Sequence, residues 1–95
     1  MSYPDYEAHE RAEARWAILR ALCARRPQHV GEQALYGAVL QAHVETTRAE
    51  LSRDLSYLEG KGLVAVKRNP ATARQRACIT PDGVDVAEYT SDDVI

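Results

Sequence analysis

The sequence predicts a mainly helical α+β domain: a three-helix core, a small antiparallel β-hairpin and a short C-terminal helix. Three observations predict it. Residues 47–60 combine a capping start, a leucine stripe and a glycine stop. Two runs rich in β-formers, Leu63 to Arg68 and Arg76 to Thr80, flank a basic loop. Apolar residues also recur at helical spacing from Ala8 to Cys23. Ninety-five residues suffice for one core of this size, so a single domain is expected over 1–95, with 1–4 and 90–95 as flexible ends.

The first helix is predicted from Asp5 to Arg25. Ala8, Ala12, Trp16, Leu19 and Cys23 form its stripe, and Ile18 and Leu22 widen it. Asp5 is the candidate cap, Glu7 and Arg11 are spaced as an i,i+4 pair, and Pro27 ends the helix. Gln28 to Val30 is a minor strand. The second helix runs from Glu32 to His43 with Leu35, Ala38, Val39 and Ala42 inward, and Gly37 suggests a close helix approach. His43 to Thr46 makes the turn.

The third helix has the clearest signals. Thr47 and Glu50 match a capping box, in which each side chain satisfies the other's backbone N–H. Leu51, Leu55 and Leu58 face inward, which turns Ala49, Arg53, Ser56 and Gly60 outward. Gly60 and Gly62 supply the stop. Past the hairpin, Thr80 caps and Pro81 opens a last helix, whose Val84, Ala87 and Tyr89 are expected to pack on the core.

Helix, short strand, helix, helix, strand, strand, helix is the order of a winged helix-turn-helix. The stretch AELSRDLSYLEGKGLVAV resembles the recognition helix and first wing strand of ArsR- and MarR-type regulators. There a Ser-Arg pair precedes Leu-x-x-Leu and then Gly-Leu-Val; here these are Ser52–Arg53, Leu55 with Leu58, and Gly62–Leu63–Val64. ITPDGVDVA resembles the end of the wing and the following helix, some form of L-T-x-x-G. Over nearly the whole chain, DYEAHERAEARWAILRAL, SRDLSYLEGKGLV and DVAE are similar to small winged-helix proteins of Mu-like phages and prophages, a family without an assigned activity. That family's pattern continues with a glycine- and basic-rich tail where this chain reads EYTSDDVI.

The likeness to ArsR- and MarR-type regulators implies a DNA-binding protein acting as a transcriptional regulator. The likeness to the phage and prophage family implies an origin but adds no activity, and the charge distribution agrees with DNA binding. Residues 46–80 hold seven basic against three acidic residues, a balance of +4; the remainder holds five against eleven, −6, for a total of −2. A polarised molecule presents a cationic face despite an acidic total, because screening confines each field to about 8–10 Å. A recognition helix at 46–60 enters the major groove by its N-terminus. Thr46, Thr47, Arg48, Ser52, Arg53 and Ser56 are therefore the candidate groove residues. Lys67, Arg68, Arg74 and Arg76, in the wing 67–76, are the candidate backbone contacts. The alternative is a winged-helix protein-interaction module that does not touch DNA.

Other chemistries find little support. No glycine-rich phosphate loop or nucleophile elbow occurs, so no enzyme is expected. His9, His29 and His43 fall in three separate segments, and Cys23 and Cys78 form no C-x-x-C, so neither metal nor cofactor is expected. Cys23 reads as a small core residue. A redox role for the two thiols is a third reading. The partners expected are double-stranded DNA and a second copy of the chain, met through the first and last helices with Tyr3, Tyr6 and Trp16 as aromatic anchors. No membrane segment, secretory signal or small-molecule ligand is evident, and a cytoplasmic location is the expectation.

Overall fold

The structure, a computed structural model, describes residues 3–89, with side chains from residue 8 onward. Among them the element order is α1 (Tyr3–Ala24), β1 (Val30–Gly31), α2 (Glu32–Gln41), α3 (Arg48–Gly60), β2 (Val64–Arg68), β3 (Gln75–Ile79) and α4 (Pro81–Tyr89). This is a small, mainly helical α+β arrangement with one three-stranded antiparallel sheet, ordered β1-β3-β2. No helix among the described residues is long and apolar enough to cross a membrane.

Helix α1 is the centre of the molecule, packed against α2, α3, α4 and β3. Trp16, Ala17, Ile18 and Leu19 are all buried. Four consecutive buried residues, each turned about 100° from the last, mean that the helix is covered on every side there. The expected stripe holds at Trp16, Ile18, Leu19 and Leu22, which are buried, but it omits Ala14 and Ala17 and reaches too far toward the N-terminus. Ala8 is exposed, Cys23 is half-buried against the core, and the core begins at Ala14. The helix also starts earlier than expected, at Tyr3, which puts Asp5 inside it rather than at its cap. The Glu7 side chain lies outside the described residues.

Thr47 caps α3 with extended backbone, and its hydroxyl accepts the Glu50 N–H at 3.1 Å. Only that half of the expected box forms, because the Glu50 carboxylate turns toward Arg11, 3.5 Å from its Nε. Leu51, Leu55 and Leu58 are buried, and Ala49, Arg53, Ser56 and Gly60 are exposed, as the spacing requires. Gly60 is still helical; Gly62, at φ 75°, supplies the left-handed residue after it. At Gly37 an added Cβ would meet open space, so the close helix approach expected there is absent.

A close approach does occur at Gly83 in α4. A Cβ there would collide with the Leu63 backbone carbonyl and with Ile79 Cγ1. Thr80 brings α4 to that spot: its hydroxyl accepts the Gly83 N–H at 3.0 Å and donates to the Gly62 carbonyl at 2.7 Å. Val84, Val86 and Ala87 pack on the core, whereas Tyr89, expected with them, is 81% exposed.

Candidate functional site

Strand alternation decides which hairpin residues look outward. On β3, Gln75, Ala77 and Ile79 are buried, while Arg76 is exposed between them and Cys78 is half-exposed. Register then sets Lys67 directly opposite Arg76, and Arg68 opposite Gln75. Two like charges facing each other across an antiparallel pair oppose folding, by roughly 0.2–1 kcal/mol. The hairpin therefore carries a charge arrangement that its own stability does not favour.

The loop adds a further cation. Asn69 Oδ1 accepts the Ala71 N–H at 2.9 Å, the Asn69 carbonyl accepts the Ala73 N–H at 2.8 Å, and the Asn69 N–H donates to the Arg74 carbonyl at 2.9 Å. Ala73 takes a left-handed φ of 58° to close this turn. The result holds Arg74 on the rim.

These residues line a cleft of about 740 Å³ between the hairpin, the start of α2 and the start of α3. Arg48, Lys67, Arg68, Arg74 and Arg76 all border it. Among the described residues, none of the five forms an ion pair with a carboxylate. Elsewhere on the molecule Arg11, Arg15 and Arg26 are paired, while among the described residues the scattered, exposed Arg20, Arg25 and Arg53 are not. What marks the cleft is that its five cations share one concavity. The one acid lining the cleft, Glu32, is already engaged: its Oε1 accepts the Gln75 backbone N–H at 2.6 Å. Gly31, the residue before α2, makes no side-chain cap, so the positive end of that helix dipole adds to the same field. Four guanidiniums and an ammonium in one concavity suit an anion with several oxygens, since each guanidinium can donate two parallel hydrogen bonds.

The remaining candidates are distributed differently. Arg53 and Ser56 stand exposed on the outward face of α3, beyond the cleft lining. Thr47 is exposed but its hydroxyl serves the cap. Ser52 is half-buried, and its Oγ accepts from Gln75 Nε2 at 3.0 Å. Thr46 does not face outward: it is 8% exposed, its hydroxyl donates to the Thr47 carbonyl, and Arg11 Nη1 lies 3.4 Å from it.

Two groups of residues were missed from sequence. Gln75 is one, because a second strand starting at Arg76 leaves it in the loop, and no sequence signal marks a polar residue beside a basic loop as buried. The other is the anchorage of α3. Asp54, 2% exposed, accepts from Arg11 Nη1 at 2.9 Å and from Arg15 Nε at 3.2 Å. Arg11 Nη2 also donates to the Glu45 carbonyl at 2.6 Å, which ties the turn before α3 to α1. Arg15 lies over the Tyr57 ring, 3.8 Å from its centroid, and Lys61 covers the same ring at 5.2 Å. Burial pushes the Asp54 carboxyl above the usual carboxylate value, outweighing the attraction of Arg11 and the hydrogen bond from Arg15.

Trp16, expected at a dimer contact, is core; the Tyr3 and Tyr6 side chains lie outside the described residues. Cys23 Sγ accepts from Arg26 Nη1 at 2.7 Å, and the same guanidinium nitrogen donates to Glu88 at 2.8 Å. No protein-family model and no curated protein matches the chain.

Proposed function

We propose that this chain is a winged helix-turn-helix protein that binds double-stranded DNA through the basic cleft and the exposed face of α3. One observation carries the reading: five cations without carboxylate partners border a single cleft, two of them held opposite one another at a cost to folding. Such a site lowers its energy by taking up phosphates, and duplex DNA presents them in rows. The element order supports the winged-helix assignment, with α2, a short turn and α3 followed directly by the hairpin.

In this reading α3 enters the major groove, Arg53 and Ser56 face the bases, and Arg48, Lys67, Arg68, Arg74 and Arg76 hold the backbone. A role in transcriptional regulation, and an origin in a phage or prophage, rest on the sequence resemblance alone. A homodimer through α1 and α4 would double the phosphate contacts, with Tyr89 as its aromatic anchor. Retention of a labelled random duplex at low ionic strength tests the reading. The wild type should retain it and the Arg74→Ala/Arg76→Ala protein should lose most of it; a wild type that ignores duplex DNA ends the proposal.

A second reading, a protein-interaction module, has one observation in its favour. The outward face of α3 offers only Arg53 and Ser56 among Ala49 and Gly60, few groups with which to read bases. An acidic protein surface captured by the same cleft would share the salt dependence but not compete with short duplexes of random sequence.

A further inference from the structure

We infer that Gln75 is a positioning residue, fixing the basic hairpin against α3 so that their cations meet one ligand together; this rests on the DNA-binding reading above. Hairpin and helix contribute separate parts of the cleft, Lys67, Arg68, Arg74 and Arg76 from one and Arg48 from the other. Their relative position decides how many phosphates can be engaged at once. Strands β2 and β3 pair with each other, and β1 joins β3 by only two residues, Val30 and Gly31. That pairing, at Arg76 and Ala77, ties the loop end of β3 to β1 and not to α3.

Gln75 sits at that end, opposite Arg68 and one residue from Arg74. It is 7% exposed and holds two elements at once. Its side-chain Nε2 donates to Ser52 Oγ on α3 at 3.0 Å, and its backbone N–H donates to Glu32 Oε1 on α2 at 2.6 Å. The second bond is charge-assisted and survives any substitution that keeps the backbone N–H, Gln75→Ala included. The first depends on the amide and on the Ser52 hydroxyl alone. Ser52 thus serves the ligand through Gln75, and not by touching it.

The two bonds also give two polar groups beside the cations fixed partners. Glu32 is kept facing a donor, and a buried amide is kept satisfied. Gln75→Ala and Ser52→Ala remove the same hydrogen bond from either side, whereas Ser52→Thr keeps the hydroxyl.

The test has two arms. In a Cys23→Ser/Cys78→Ser background, nitroxide labels introduced as Ala71→Cys and Ser56→Cys report the hairpin-to-α3 distance by pulsed electron spin resonance. The otherwise wild-type protein should give one narrow distribution, and Gln75→Ala or Ser52→Ala a broad one. The second arm measures affinity for a random duplex across a salt series. Each alanine variant should bind roughly tenfold more weakly with a salt slope shallower by about 2, while the double variant is no worse than either single one. Ser52→Thr should behave as wild type in both arms. Unchanged distance distributions overturn the proposal, and so does a broadened distribution with an unchanged salt slope. A wild type that fails to bind duplex DNA defeats the DNA-binding reading, and the distance arm then still decides whether Gln75 fixes the hairpin.

Discussion

Arg11 Nη1 donates to Asp54 Oδ2 at 2.9 Å, joining the first helix to the middle of the third across 43 residues of chain. The same guanidinium reaches the Glu45 carbonyl through Nη2, so one side chain fixes both the body of α3 and the turn that leads into it. Leucines on the inner face give α3 its burial; Arg11 and Arg15 set its orientation.

Removing Arg11 leaves a buried carboxylate with one partner where it had two. Arg11→Ala should destabilise the fold by about 2–3 kcal/mol, less than for a fully buried pair because Arg15 remains and the arginine is partly exposed. Arg11→Lys, which keeps the charge but cannot span Asp54 and Glu45 together, should fall between. Urea unfolding midpoints at constant m measure both. A loss below 0.5 kcal/mol for Arg11→Ala, of the order of a surface substitution, contradicts the anchoring role.

Asp54 also imposes a pH dependence whose sign follows from burial. Its native pKa lies above the unfolded value of about 3.9, so the folded state holds the proton more tightly. The contribution of this group is fully present below the unfolded pKa and is lost as pH rises through the native pKa. Subtracting the stability of Asp54→Asn, which cannot titrate there, isolates it. The wild type should lose stability relative to Asp54→Asn on raising the pH across that interval; a relative gain would show that the arginines outweigh burial.

Gly83→Ala should cost roughly 2–4 kcal/mol, since the new methyl meets the Leu63 carbonyl and Ile79 and α4 must move away. Gly37→Ala, with open space at the same atom, should be neutral or stabilise by about 0.5–1 kcal/mol. Thermal unfolding of the two single variants gives the comparison directly, and equal effects would contradict the close packing of α4 on the β2 entry.

Lys67→Ala should act with opposite signs on stability and on binding. It relieves the repulsion with Arg76, raising stability by about 0.2–1 kcal/mol. If the cleft holds DNA, the substitution should also remove one phosphate contact, lowering affinity on all sequences and making the salt slope shallower by about 1. Arg53→Ala differs from it: because Arg53 stands on the exposed helix face outside the cleft, its loss should change sequence preference. Identical effects of the two substitutions on a panel of duplexes would erase that distinction.

Much of this fold was legible because its signals are local. Thr47 with Glu50, Thr80 before Pro81, Gly62 after a leucine stripe and the β-rich runs each specify their own element. The basic loop likewise marked Lys67, Arg68, Arg74 and Arg76 as a group. What local patterns do not carry is which polar groups turn inward. Arg11, Arg15 and Asp54 carry no local sign of their pairing because their partners lie far away in sequence. Helix α1 is covered on all sides only at Trp16 to Leu19, a stretch too short to stand out from the stripe. Thr46 and Ser52 read as outward for the same reason: hydroxyls near a helix N-terminus suit a ligand and a neighbouring side chain equally well. Glu50, which as an outward carboxylate would repel phosphate, is drawn back to Arg11.

If the basic cleft seats the phosphates of a DNA backbone, counterion release measures it most directly. Affinity for a random duplex should fall linearly on a log–log plot against salt concentration. The slope should be roughly −4 to −5 if all five cations meet phosphates. Replacing Arg74 and Arg76 together should bring it to about −2 to −3. A flat salt dependence, or a slope unmoved by that double substitution, would contradict the assignment of this cleft to DNA.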